Sequence, residues 1–206
     1  MPKPYIIGIA GGTASGKTYL VKALQAELGK KGFSVLSIDD FYKPRHEQPL
    51  DERGEANFDT LESIAWNLFW DKLNALLNDQ SIQIKKYNFN NPALPEQIET
   101  IEPHPVLIIE GLFCLAQPQL KALLDLKIFM DPDDTIKVFR RIERDHQERG
   151  YDLEDVSYRY LHHVLPAYRT YLEPYKALCD LVLPNQGSLQ PVVEVLSAWI
   201  RTRGML

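Results

Sequence analysis

The sequence predicts a three-layer α/β fold built on a mostly parallel sheet. Short continuous apolar runs of strand length recur along the chain, helical apolar patterns lie between them, and glycine or acidic residues follow directly on several of the runs. Continuous rather than alternating apolarity is what a strand buried on both faces requires, and burial on both faces belongs to parallel sheets covered by helices. Alternation of strand and helix patterns implies crossover connections, and so a parallel arrangement.

The first run, Tyr5-Ile6-Ile7-Gly8-Ile9-Ala10, passes directly into Gly11-Gly12-Thr13-Ala14-Ser15-Gly16-Lys17-Thr18, which fits G-x-x-x-x-G-K-[ST]. Leu20, Val21, Leu24 and Leu28 follow at helical spacing, with Gly29 and Gly32 as stop signals. The octapeptide therefore stands between a buried strand and a helix, the setting that a phosphate-binding loop needs. Backbone N–H groups must converge on the phosphates, so side chains at Gly11 or Gly16 would obstruct the approach. Lys17 supplies a point charge for the β/γ-phosphates, and the Thr18 hydroxyl can ligate Mg²⁺. The positive end of the helix beginning near Lys17 adds to the attraction.

Phe33-Ser34-Val35-Leu36-Ser37-Ile38 reads as a second buried strand, ending in Asp39-Asp40 and then Phe41-Tyr42. In open α/β sheets ligands bind outside the carboxyl ends of the strands, which puts Asp39 or Asp40 in the same crevice as the phosphate loop. Residues 43–58 read as a polar surface loop near the site, and Asp59 or Thr60 can cap the next helix, expected over 61–77. Its apolar stripe is Ile64, Leu68, Leu73, Leu76 and Leu77, widened by Trp66, Phe69 and Trp70, a pattern typical of core.

Alternation over residues 81–87 and again over 97–101, around a turn-rich centre, predicts a β-hairpin with a long tip. Val106-Leu107-Ile108-Ile109 suits a central strand and brings Glu110 to the crevice, ahead of Gly111. Leu126-Lys127-Ile128-Phe129-Met130 and Leu181-Val182-Leu183 complete the sheet, with helices expected over 135–147, 153–171 and 190–200. No repeat or linker divides the chain, so residues 1–206 are expected to form one domain, with a hairpin insertion near 81–101 and a lid near 140–152.

At 206 residues and a formal charge of −5, with a sequence pI of about 5.6, the chain is long enough to bury a full core, and it is too acidic for an electrostatically driven binder of nucleic acid or membrane surface. The charge of an anionic ligand must then be met locally. Cys114 and Cys179 lack metal-ligand spacing and read as small core residues in a reducing compartment. No apolar stretch has signal-peptide length or approaches the roughly 18 residues of a membrane span, so a soluble cytoplasmic protein is expected. The sequence leaves homo-oligomer formation open.

The segment Arg140-Arg141-Ile142-Glu143-Arg144-Asp145-His146-Gln147-Glu148-Arg149-Gly150 gathers four arginines in an otherwise acidic chain. Alone it reads as a solvated helix with ion pairs involving Glu143 and Glu148. Beside a phosphate loop it also suits a lid, because phosphoryl transfer needs cations to balance charge on the transferred oxygens. Such transfer further requires one carboxylate to accept the proton of an attacking hydroxyl and another near the metal, roles that Asp39 and Glu110 suit. Asp40 reads equally as a second functional acid or as a helix-start residue.

With those residues in place, the chain resembles the uridine kinase and phosphoribulokinase group of P-loop kinases, most closely the uridine–cytidine kinases. The resemblance rests on GGTASGKT, on Asp39-Asp40-Phe41-Tyr42 for the family's Asp-Ser-Phe-Tyr, on Asn57-Phe58-Asp59, on Glu110-Gly111, and on RRIERDHQERG followed by Asp152-Leu153. It implies a three-layer P-loop NTPase fold with a small hairpin and an Arg-rich lid. It also implies ATP as donor with Mg²⁺, and a nucleoside-like acceptor phosphorylated at a primary hydroxyl, such as the 5′-OH of uridine or cytidine. By the same resemblance Asp39 is the general base, Asp59 and Arg141 hold ribose hydroxyls, and Tyr42, Tyr87 and Phe89 line the acceptor pocket. Arg144 and Arg149 are lid residues on the phosphates. Two departures stand out: the hairpin carries Tyr87-Asn88-Phe89-Asn90-Asn91-Pro92 where uridine kinases place a base-contacting His, and the lid's Arg-Gly-Arg is Arg149-Gly150-Tyr151. Residues 39–41 and 58–62 are also similar to nicotinamide riboside kinases, so a kinase for that nucleoside or another small sugar or polyol is the alternative. A non-catalytic nucleotide-binding regulator is the alternative of another class.

Overall fold

Ile6 and Ile7, consecutive on the first strand, point to opposite faces of the sheet, and both are buried. That strand, β1 (Tyr5–Gly11), lies at the centre of a five-stranded parallel sheet in the computed structural model, which describes residues 3–29, 32–89 and 95–204, without the side chains of 148–149 and 203–204. After β1 come α1 (Lys17–Leu28), β2 (Ser34–Ser37), α2 (Trp66–Leu77), the hairpin strands β3 (Ile82–Lys85) and β4 (Ile98–Ile101), and β5 (Val106–Glu110). Then follow α3 (Pro118–Leu123), β6 (Leu126–Met130), α4 (Asp134–Arg149), α5 (Leu153–Arg159), a π turn (Tyr160–Val164), α6 (Leu165–Tyr171), α7 (Glu173–Lys176), β7 (Leu181–Leu183) and α8 (Gln190–Gly204).

The sheet order is β2-β5-β1-β6-β7, and β1 pairs in parallel with β5 (Ile7 opposite Ile108) and with β6 (Ile9 opposite Ile128). On one face Ile7, Ile9, Ile108 and Ile128 pack against Leu20 and Leu24 of α1 and Leu196 and Ile200 of α8. On the other, Ile6, Leu107, Ile109 and Phe129 share a core with Phe69 and Leu73 of α2 and with Leu172. Phe69 is fully buried and meets the rings of Phe41, Trp66 and Trp70 edge to face at 5.2–5.6 Å. Burying such a ring stabilises the fold by about 2–3 kcal/mol.

Among the described residues the hairpin strands join no other strand: β3 and β4 form a separate antiparallel pair with Ile82 opposite Ile101. Ile82, Ile84 and Ile101 anchor it in the α2 core.

The structure departs from the sequence expectations in several places. The helix expected over 61–77 begins only at Trp66, because Ile64 and Ala65 are drawn out along the following segment of β2: Ala65 N donates to the Phe41 carbonyl and Ile64 bridges Tyr42. Thr60 is the N-cap residue of a short 3₁₀ turn (Leu61–Ser63) but makes no side-chain capping bond, its hydroxyl meeting that of Ser63, and the N-cap of α2 is Ala65. Leu68, placed on the apolar stripe, is 48% exposed. The single helix expected over 153–171 is interrupted by the π turn, and α3 and α7 carry no strong apolar period in the sequence. Cys114 is buried as expected, whereas Cys179 is half-buried. Arg141 and Arg144 of α4 ion-pair with Asp145, whereas the Glu148 side chain, also expected to pair, lies outside the described residues. Part of the expected hairpin tip, residues 90–94, lies outside the described residues. Among the described residues no helix is long and apolar enough to cross a membrane.

Candidate active site

The turn from β1 into α1 is shaped by glycines for which any other residue is too large. Gly16, the N-cap of α1, has φ 97°, and a Cβ there would stand 2.1 Å from Nδ2 of Asn185. A Cβ on Gly11 would stand 2.6 Å from the Met130 carbonyl oxygen. Asn185, just past β7, donates from Nδ2 to the Ser15 carbonyl at 2.9 Å and so clasps the loop from the far edge of the sheet. Lys17 is buried and donates from Nζ to the carbonyls of Gly11 (2.9 Å) and Gly12 (3.2 Å). The loop thus forms a closed ring, with its amides at the start of a twelve-residue helix, a geometry that attracts anions.

A cleft of about 950 Å³ opens beside it, bordered by residues 13–18. The parallel register brings the acids to this cleft. Ser37 at the end of β2 pairs with Glu110 at the end of β5, and Ile9 of β1 pairs with Glu110 from the other side. Asp39 and Glu110 both border the cleft. The Ser37 hydroxyl donates to Glu110 Oε1 at 2.7 Å, while Oε2 is buried with no hydrogen-bond partner among the described residues. Burial pushes the Glu110 carboxyl up to about 7, and the charge of Asp39 adds to the shift; Lys17 and the Ser37 hydrogen bond oppose it. Asp40 lies in the short 3₁₀ turn after β2 and borders the cleft, but its carboxylate is engaged. Its Oδ2 accepts from Lys86 Nζ at 2.8 Å and its Oδ1 from the Tyr87 amide at 3.3 Å.

Above the loop, α4 brings Arg141 and Arg144 to Thr13, whose hydroxyl accepts from both, at 3.1 and 3.3 Å. Asp145, almost wholly buried, ion-pairs with each of them. Arg140 also borders the cleft, while the Arg149 side chain lies outside the described residues.

At the other end Tyr42, Phe58 and Phe89 border the cleft with Asp59. Tyr42 meets the rings of Phe58, Tyr87 and Phe89 at centroid distances of 5.4–5.7 Å. Tyr87 does not itself border the cleft; it braces Phe89 at 4.8 Å and donates its hydroxyl to the Lys43 carbonyl.

The structure adds site residues that sequence patterns do not mark. Arg159, at the end of α5, donates to the Ala56 carbonyl and to Glu55 Oε2 at 2.6 Å, and His163 of the π turn contacts Asp51 Oδ2 at 2.7 Å. Both border the cleft. π turns recur at functional sites, and here Arg159 immediately precedes the turn and His163 lies within it. Asp51 also accepts from the Tyr158 hydroxyl and from the amides of Arg53 and Glu55. Burial acts to raise its pKa, but the bonds from His163, the Glu55 amide, Tyr158 and the Arg53 amide together hold it well below the usual carboxylate range. Asn185 could have been found from its place at the carboxyl end of a strand, but Arg159 and His163 look like ordinary helix residues.

Comparison with known proteins gives this geometry its lineage. A profile of the Phosphoribulokinase / Uridine kinase family matches residues 6–190. The chain belongs to this family. A curated uridine kinase from Deinococcus deserti is 36% identical over 200 residues, covering 97% of both chains. Two solved structures share the fold of this family member: one described as a possible uridine kinase from Bacillus stearothermophilus, at TM-score 0.61 and 17% identity over 89% of this chain and 90% of the other, and phosphoribulokinase from Rhodobacter spheroides, at TM-score 0.61 and 20% identity over 86% and 68%. As a member of the phosphoribulokinase and uridine kinase family, the protein is an ATP-dependent phosphotransferase acting on an alcohol.

Proposed function

We propose that the protein transfers the γ-phosphoryl group of ATP to the 5′-hydroxyl of a pyrimidine ribonucleoside, uridine or cytidine. The observation that carries this reading is the make-up of the cleft's far end. Tyr42, Phe58 and Phe89 line that end with aromatic rings suited to a planar base, and the lysine and arginine there are already matched: Lys86 by Asp40 and Glu99, and Arg159 by Glu55. A sugar phosphate or a carboxylic acid would need surplus positive charge at that end, whereas a neutral nucleoside needs none.

In this reading the amides of residues 11–18 and Lys17 hold the donor's phosphates, and Asp39 takes the proton of the attacking hydroxyl. Asp59 and Arg141 hold the ribose hydroxyls, Tyr42 and Phe89 face the base with Tyr87 behind them, and Arg144 and Arg149 balance charge on the transferred group. Glu110 and Thr18 fit a magnesium ion, because the buried and unpartnered Oε2 of Glu110 is an oxygen ligand awaiting a partner. When bound, the ion would neutralise charge on the phosphate oxygens. Among the described residues no cluster of three His, Cys, Asp or Glu forms, which accords with an ion held by few protein oxygens together with phosphate.

The test is an acceptor panel of uridine, cytidine, nicotinamide riboside, a free hexose and a sugar phosphate, with ATP, Mg²⁺ and coupled detection of ADP. Phosphorylation of the two pyrimidine nucleosides with an inert sugar phosphate is expected. Inert uridine and cytidine beside another reacting alcohol would remove the proposal. ATP binding without acceptor-dependent ADP release would point instead to a nucleotide-binding regulator.

A further inference from the structure

A two-stranded hairpin is at best marginally stable alone, and this one gains no support from the main sheet. Its apolar roots, Ile82, Ile84 and Ile101, fix where it leaves the core but not where its cleft-facing end lies. Asp40 ties that end to the turn after β2, beside the bond from the Tyr87 hydroxyl to the Lys43 carbonyl. One carboxylate oxygen accepts from Lys86 Nζ and the other from the amide of the next residue, Tyr87, so a single side chain holds two consecutive hairpin residues. Lys86 also reaches Glu99 across the hairpin at 2.9 Å and so binds both sides of it. The Asp40 side chain is only 11% exposed, and the Lys86 side chain is 38% exposed.

Asp40 adjoins Asp39 within the short 3₁₀ turn Ile38–Phe41, whose Ile38 and Phe41 side chains are buried. Adjacent α-carbons are separated by a fixed ~3.8 Å, so whatever Asp40 holds is placed in register with Asp39. The residues held in this way lead directly into Tyr87 and Phe89, whose rings pack on Tyr42.

We propose that the Asp40–Lys86 ion pair is a positioning device that sets the acceptor-side hairpin against Asp39 and so determines acceptor affinity. Asp40 and Lys86 act through the aromatic residues and need not touch the substrate. Burial alone would lower the Lys86 pKa, but its bonds and charge interactions with Asp40 and then Glu99 raise it, so Lys86 keeps its charge.

The kinetic part of this inference rests on the kinase reading above, and a double-mutant cycle tests it with whichever acceptor reacts. Asp40→Asn and Lys86→Met should each raise the acceptor KM about tenfold, as expected for opening a half-buried ion pair, while the ATP KM stays within about twofold. The double variant should be no worse than the poorer single variant, since the two residues act as one unit. Lys86→Arg, which keeps the charge, should recover most of the loss. Unchanged acceptor KM, additive losses in the double variant, or a parallel rise in the ATP KM would each overturn the proposal. Amide hydrogen exchange supplies a readout that needs no substrate. Faster exchange in β3 and β4 of Lys86→Met, with α1 unchanged, supports the latch even if the acceptor assignment fails; exchange in the hairpin equal to that of the parent chain refutes it.

Discussion

Asp39 and Glu110 border one cleft and repel each other, and their neighbours separate their roles. Glu110 is sealed at the end of a central strand with Ser37 as its donor, and its pKa is pushed up to about 7 by burial and then by Asp39. Between the ordinary carboxyl value of 4.5 and about 7, the folded protein holds a proton that the unfolded chain has released. Folding stability of the nucleotide-free protein is therefore fullest below 4.5 and falls as pH rises through that window, by on the order of 3 kcal/mol. Urea denaturation at intervals from pH 4.5 to 7.5 should show this slope, and Glu110→Gln should flatten it; a slope that persists in the variant would assign the titration elsewhere. In the proposed reaction Asp39 takes the proton of the incoming hydroxyl. Asp39→Asn should lower kcat by about 10²–10⁴ while leaving the ATP dissociation constant within about twofold. Steady-state rates alongside nucleotide titration measure both, and near-normal turnover in this variant would remove Asp39 from the mechanism.

At the scale of elements, the phosphate loop is stretched between its own helix and a distant strand end. Asn185 occupies the space that a Cβ on Gly16 would need, and the φ of 97° at Gly16 is poorly tolerated by other residues. Gly16→Ala should thus weaken ATP binding at least about tenfold and lower stability by about 1–3 kcal/mol. Equilibrium nucleotide binding and thermal unfolding report the two effects, and a variant with parental ATP affinity would contradict the clasp. Asp51 plays a comparable part for residues 45–58, which it ties to α5 and the π turn through Tyr158 and His163. Asp51→Ala should loosen that loop and raise the acceptor KM by roughly fivefold to tenfold with little change for ATP, since several hydrogen bonds worth about 1 kcal/mol each are lost far from the phosphate loop. The contrast between these devices shows what the sequence makes legible. Gly16 and Lys17 announce themselves because a phosphate needs those residue types at that spacing. Arg159, His163, Lys86 and Asp51 do not, since their roles depend on which distant segment the fold sets against them. The same limit governs secondary structure. The buried strands stand out because apolarity is continuous in them, but the start of α2 was shifted by Ala65 bonding to Phe41, a tertiary contact that no local period encodes.

At the scale of the whole molecule, a chain of net charge −5 binds a polyanion by segregating its charges. The sheet order puts β1 between β5 and β6, so the phosphate loop, Glu110 and the approach to α4 converge at one end of the sheet. Lys17 and Arg144 stand at the phosphate loop, while the acceptor end is charge-matched by Asp40, Glu55 and Glu99. Because nucleotide would join α1, α4 and the sheet, ATP at about a hundred times its dissociation constant should stabilise the fold by about 2.7 kcal/mol, which for a chain of this size corresponds to a Tm increase of roughly 5–10 °C. Salt separates the two ends. Raising ionic strength from about 0.05 to 0.5 M shortens the screening length from roughly 14 Å to roughly 4 Å, so attraction of ATP to the donor end weakens and its KM rises. A neutral acceptor approaching a matched surface is not subject to this attraction, so its KM should change by less than about twofold. Steady-state kinetics across that salt range, with ATP and acceptor varied in turn, decides the matter. A fall in both affinities together would mean that the acceptor is itself an anion drawn by uncompensated charge, contrary to the pairing of Lys86 and Arg159.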